Sequence, residues 1–170
     1  MMLALNTTAQ QTRSIAIVFS GAVGHFSGPI AASVNRSEAS NAGVINVSAE
    51  CWRRTLLDVV LPGQIVHTFV HSWSFELQSL IRSALRPTSS LFEKPIASSI
   101  NVSSIVGRNC MEHGGLVGSY RSVLSQWTSR ARVLRLVEAH ERAMDTRFDI
   151  VILTRLDLCP CPSRLITFSE

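Results

Sequence analysis

Thr154, Arg155 and Asp157 stand where an apolar run turns abruptly polar. The run is Ile150 to Leu153, within RFDIVILTRLDL at 147–158. Four strand-forming residues in a row predict a strand buried on both faces. In open α/β sheets, ligands bind outside the carboxyl ends of the strands. The sequence therefore puts a cation and a carboxylate, two residues apart, at the expected mouth of a site. A guanidinium can grip a phosphate through two parallel N–H bonds. A carboxylate can anchor Mg²⁺ or Mn²⁺ that is otherwise held by phosphates. The competing reading is an ordinary strand end capped by an exposed Arg/Asp pair.

Two further places carry polar groups at strand ends. Ser14 to Phe19 (SIAIVF) predicts a second buried strand, and it runs into Ser20-Gly21-Ala22-Val23-Gly24. Small residues there let the backbone approach a ligand closely, or simply make a turn. The spacing fits neither G-x-G-x-x-G nor G-x-x-x-x-G-K-[ST], which disfavours a dinucleotide fingerprint and a P-loop. Gln64 to Trp73 predicts a third strand, with His67, Phe69 and His71 on one face. His67 and His71 are too far apart for one metal ion, at roughly 13 Å along an extended strand. His71 reads either as a polar group at the strand's mouth or as a hydrogen-bonded core histidine. No G-x-S-x-G elbow or H-E-x-x-H motif occurs.

The elements that must position these groups follow from periodicity. Residues 27–49 are rich in Ser, Ala, Asn and Gly and predict a mobile loop or a poorly formed helix. Ala49 to Val60 carries Trp52, Leu56, Val59 and Val60 at helical spacing, stopped by Pro62-Gly63. Ser74 to Leu85 predicts an amphipathic helix capped by Ser74 and ended by Arg86-Pro87. Ser90 to Lys94 predicts a short edge strand, and 96–117 a loop. Ser122 to Asp145 predicts the longest helix, with Trp127, Ala131, Leu134, Val137 and Met144 facing inward. Capped by Ser122 or Ser125, its start would turn Ser125 and Gln126 toward an anion. Strands alternating with helices define an α/β chain, a Rossmann-like, mostly parallel sheet with flanking helices. Residues 1–13 read as a lead-in and 14–170 as one domain.

Composition bounds the function. At 170 residues, 46% hydrophobic and 16% charged, the chain suits one folded domain. A net charge of +4 fits an anionic small molecule, and it is too scattered for nucleic acid. No apolar run is long enough to span a membrane. Cys51, Cys110, Cys159 and Cys161 form no C-x-x-C pair. Unpaired thiols are the simpler reading, and a disulfide from Cys159 or Cys161 to Cys110 the other. Asn6, Asn35, Asn46 and Asn101 sit in N-x-[ST] sequons. If they are used, the chain belongs to the Golgi or secretory lumen and a targeting segment is missing; otherwise it is cytoplasmic.

Ser20-Gly21, His71-Ser72-Trp73, Ser125-Gln126-Trp127 and Arg155-Leu156-Asp157 occur in an order that resembles one family. It comprises nucleotide-sugar glycosyltransferases of the GT-A-like kind, found in bacteria, algae and large viruses. The stretch from Leu124 to Leu158 is the most specific part of the likeness, and 27–49 and 86–115 are gaps in it. The resemblance implies a donor-binding half: Ser20, Gly21 and His71 on the nucleotide, Gln126 as a supporting contact, Arg155 and Asp157 catalytic. It also implies Mn²⁺ or Mg²⁺ on Asp157, and a glycan, protein or lipid acceptor. Two departures qualify it. Arg155 stands where the family's D-x-D has its first carboxylate, which leaves one for a metal. The chain also ends just after this motif, so the acceptor half would lie beyond Glu170. The expected activity is sugar transfer from a nucleoside diphosphate sugar. The alternative is a non-catalytic nucleotide-binding or interaction module derived from a truncated glycosyltransferase. A sulfotransferase on a similar sheet is disfavoured by the absent phosphate loop.

Overall fold

The computed structural model describes residues 12–23, 38–55, 63–94 and 116–158. Four strands form one parallel sheet: β1 (Ser14–Gly21), β2 (Ile65–Ser72), β3 (Ser89–Phe92) and β4 (Ile150–Arg155), in the order β3-β2-β1-β4. The helices are α1 (Glu38–Trp52), α2 (Gln78–Leu85) and α3 (Leu116–Met144), with a 3₁₀ turn at Phe75–Leu77. This is the α/β, Rossmann-like arrangement that the alternation of strands and helices implies.

β1 is the centre because its residues can be buried on both sides. Ile15 to Ser20 are all buried. Ile17 and Phe19 point to one face, where they pack with Ile45, Trp52, Val70, Ile81, Phe92 and Leu156. Ala16 and Val18 point to the other, against Phe69 of β2 and Val133 and Val137 of α3. Each large side chain so buried contributes about 1.5–3 kcal/mol. Phe19 meets Trp52 edge-on, ring centroids 5.4 Å apart. At the lower end, the Ser14 amide donates to Asp149 Oδ2 (2.7 Å) and the Asp149 amide to Ser14 O (2.8 Å), which fixes the register of β4 on β1.

Several sequence expectations are corrected. α1 begins at Glu38, within the stretch read as loop or weak helix. Its inward positions, Ile45, Ser48 and Trp52, keep helical spacing, but the small polar residues between them dilute the pattern. Residues 56–62, the rest of the predicted 49–60 helix and Pro62, lie outside the described residues, as do 96–115 of the predicted loop. Ser74 forms no side-chain cap; its hydroxyl instead accepts the Val23 amide (3.0 Å). The helix after it ends at Arg86, which takes a left-handed conformation (φ 45°) before Pro87.

α3 starts at Leu116, so neither Ser122 nor Ser125 caps it. Its inward stripe is Ser129, Val133 and Val137, with Leu136 packed alongside. Trp127 is 63% exposed, and Leu134 and Met144 are exposed too. The expected stripe is thus rotated about a quarter turn from the real one, because Trp127 drew it toward its own side. β4 is also not buried on both faces. As the outer strand it leaves Val151 and Leu153 exposed. Cys51 is disulfide-bonded, against the expectation of unpaired thiols; such bonds persist in an oxidising compartment. Among the described residues no helix is long and apolar enough to cross a membrane.

Candidate functional site

The strand register assembles the site. Ser20 of β1 is paired with His71 of β2 on one side and with Arg155 of β4 on the other. Ser20, His71 and Arg155 therefore form one row across the carboxyl ends of three parallel strands. Alternation puts all three on the α3 face, the side to which Ala16, Val18 and Phe69 point. Ser20 is buried, and its hydroxyl donates to Thr154 O of the neighbouring strand (3.4 Å).

Gly21 ends β1 with φ 114°, a conformation that side chains rarely adopt. Among the described residues a Cβ there would meet nothing within 4 Å, which leaves the backbone open to close approach. The Gly21 amide donates to Ser129 Oγ (2.7 Å), and Gly21 O accepts from the Trp73 amide (3.4 Å).

His71 is fully buried. Its Nδ1 lies 2.7 Å from Ser129 Oγ and its Nε2 3.0 Å from Glu93 Oε2. The Ser129 hydroxyl already accepts the Gly21 amide, so its own hydrogen is available to His71 Nδ1. That leaves Nε2–H to donate to Glu93, which is a neutral imidazole with both nitrogens satisfied. Burial pushes the His71 pKa below 6.5; Glu93 opposes this shift, and nearby Arg132 adds to it. Arg132 Nε lies 3.0 Å from the same Glu93 oxygen, but its N–H makes no aligned hydrogen bond there, so the contact is electrostatic. Serine, imidazole and carboxylate in line have the connectivity of a nucleophile relay. Here the hydroxyl is fully buried in mid-helix and holds a backbone amide, which makes it a clamp. Trp73 closes the group, its ring edge-on to His71 (4.6 Å) and its Nε1–H donating to Ser125 O (3.3 Å).

These contacts set α3 across the strand ends. Gln126 is exposed, one turn before Ser129 and two turns before Val133 on the same side of the helix. No hydrogen bond among the described residues ties it to the row. Because α3 begins at Leu116, Ser125 and Gln126 lie well inside the helix, away from the anion-attracting amides of its first turn.

At the rim, Arg155 holds Asp157 in a two-pronged pair, Nε to Oδ1 at 2.8 Å and Nη2 to Oδ2 at 2.6 Å. The carboxylate raises the Arg155 pKa above its ordinary value. Two of the guanidinium's five N–H donors are used on Asp157, and the other three meet no acceptor among the described residues. The turn carrying the pair is fixed from the opposite face. Leu156 is buried against the α1/α2 core, and Leu158 O accepts from both Trp52 Nε1 (2.7 Å) and Ser48 Oγ (2.9 Å).

The residues do not form a ready cradle for a divalent cation. Asp157 gives both oxygens to Arg155, and among the described residues no group of three or more His, Cys, Asp or Glu could hold a metal. Sequence reasoning missed Ser129, Glu93, Arg132, Ser48 and Trp52 as parts of this assembly. Helical spacing could have found Ser129, which stands four residues before Val133 and eight before Val137. No family model, curated protein or solved structure matches this chain.

Proposed function

We propose that the chain binds a nucleoside diphosphate sugar across the carboxyl ends of β2, β1 and β4 and passes the sugar to a glycan, protein or lipid acceptor. The observation that carries this reading is the single row of Ser20, His71 and Arg155, with Asp157 paired to Arg155 at its edge. Loss of a nucleoside diphosphate leaving group concentrates negative charge, and fixed donors aimed at that charge lower the barrier. Arg155 supplies it with a cation and three N–H donors that meet no acceptor among the described residues, Gly21 with room for close approach. Asp157 orients the guanidinium. Ser20, His71 and Ser129 hold the strand ends and α3 in place, and Gln126 serves as a supporting polar contact. The order of motifs that resembles the GT-A-like glycosyltransferases supports the same reading.

The test is a melting series with UDP- and GDP-sugars, each with and without Mn²⁺. A rise in melting temperature with one donor, lost in Arg155→Ala and reduced in Asp157→Ala, is the expected result. No shift with any nucleotide sugar counts against the proposal. One observation favours a second reading, a nucleotide-binding module without catalysis: the rim carboxylate is already neutralised by Arg155. Nucleotide binding with neither sugar transfer nor donor hydrolysis selects that reading.

A further inference from the structure

β4 presents three features together. Among the described residues it is the last strand of the sheet, so one row of its backbone amides and carbonyls has no described strand beside it. Its α3-side residues Val151 and Leu153 are 45% and 43% exposed. Yet its sequence, Ile150-Val151-Ile152-Leu153, is of the kind found in strands covered on both faces. α3 packs over β1, β2 and β3, and Arg132 marks its β3 flank by reaching Glu93. The opposite flank, toward β4, carries Val123, Trp127 and Leu134, all exposed. Arg130 lies over the Trp127 ring at 5.2 Å. The exposed α3 side of β4 and this flank, which carries Arg130 and the exposed Gln126 beside its apolar residues, together form a trough along the β4 edge.

We propose that a second copy of this chain covers the trough, with β4 pairing antiparallel to β4 of the partner about a two-fold axis at Ile152. The register follows from the side chains. Directly opposite residues of an antiparallel pair lie on the same face with Cβ atoms about 4.5–5.5 Å apart. An axis at Ile152 sets Val151 against Leu153 of the partner subunit, and Asp149 against Arg155 of the partner subunit. Apolar meets apolar, and carboxylate meets guanidinium, twice each by symmetry. The allowed neighbouring registers fail. An axis at Val151 sets Leu153 against Asp149 and Arg155 against Arg147. An axis at Leu153 sets Val151 against Arg155 and Asp149 against Asp157. Asp149 keeps one oxygen for the new contact, since the Ser14 amide takes Oδ2. The sheet becomes eight-stranded and continuous, and both α3 helices lie on one side with Trp127 and Leu134 lining the space between them.

The experiment is sedimentation or light scattering of the full chain across a concentration series, with thermal melts to check folding. The expected result is a dimer at micromolar concentration that becomes monomeric in Leu153→Lys and in Val151→Lys. Both positions are exposed in the single chain, so the secondary structure of each monomer should persist. Asp149→Asn, which removes the charge but keeps an oxygen for the Ser14 amide, should weaken the dimer by at least tenfold. A wild-type chain that stays monomeric up to high micromolar concentration overturns the proposal, as it does if the trough is covered by another part of this chain or by another protein. A dimer that survives Leu153→Lys and Val151→Lys overturns it too. A dimer lost in the lysine variants but indifferent to Asp149→Asn overturns the Ile152 register.

Discussion

Ser129 Oγ lies 2.7 Å from His71 Nδ1, and the same oxygen accepts the Gly21 amide at 2.7 Å. One buried hydroxyl thus joins the middle of α3 to the ends of β1 and β2. The proposed donor site depends on this joint, because it sets the height of the helix above the strand ends.

Replacing Ser129 by Ala removes the acceptor for a buried amide and the donor for a buried imidazole nitrogen. Leaving buried polar groups unpaired costs about 1–3 kcal/mol each. Ser129→Ala should therefore lower unfolding free energy by roughly 2–6 kcal/mol in urea titrations. Glu93→Gln should cost less, because that side chain is 29% exposed, so water reaches it, and the amide oxygen can still accept from His71. If Ser129→Ala is neutral, the clamp is not what holds α3 in place.

The histidines give the fold a pH dependence with a definite sign. Burial pushes His71 below its ordinary 6.5, and burial together with His140 does the same to His67. Below pH 6.5 the unfolded chain takes up protons that the folded chain refuses at these two positions. Folding stability is then whole above the unfolded value and is lost as pH falls from 6.5 through the lowered folded values. Urea midpoints between pH 8 and pH 5 should decline below about 6.5. The decline should shrink in His71→Gln, which offers an amide where the imidazole is neutral. A flat profile would show that neither histidine is held neutral.

The sheet was legible in the sequence because β1 and β2 obey simple rules: Ile15 to Phe19 is apolar on both faces, and His67, Phe69 and His71 alternate onto one. The row Ser20, His71, Arg155 follows once those strands are parallel and in register. α3 was harder. Val137 faces inward as expected and is buried, but Trp127 outweighs Val133 in the pattern, yet the surface tolerates the tryptophan and Arg130 partners its ring. Ser129, being polar, drew no place in the expected stripe, although a serine with two hydrogen-bond partners is a natural core residue. Trp52 and Ser48 could not be tied to Leu158, since periodicity within α1 says nothing of a carbonyl more than a hundred residues away.

Gly21 should tolerate replacement poorly, although no described residue crowds it. Among the described residues a Cβ there meets no atom within 4 Å, but φ is 114°. Strain in such a backbone costs on the order of 1–3 kcal/mol. Gly21→Ala should lose that much stability, or shift the end of β1 and weaken nucleotide-sugar binding. Hydrogen exchange at the Gly21 amide separates the two outcomes, since only a shifted strand end frees it from Ser129. Unchanged stability, exchange and binding together would mean that the glycine conformation is not required.

The turn after β4 is held by two donors on one acceptor, which predicts non-additive mutants. Leu158 O receives Trp52 Nε1–H and Ser48 Oγ–H from the same face of α1. Trp52→Phe removes one donor and keeps much of the ring packing against Phe19. Ser48→Ala removes the other. After either change the carbonyl still has a partner, so hydrogen-bond loss in each single variant should be about 1 kcal/mol or less. In the double variant the carbonyl is left without either donor, and the coupling between neighbours should add roughly 0.5–3 kcal/mol beyond the sum. Because the same turn presents Asp157 to Arg155, the double variant should also lose the melting shift produced by a nucleotide sugar while the single variants retain most of it. Simple additivity across the cycle, measured by urea unfolding, would mean that one donor carries the anchor and the other is incidental.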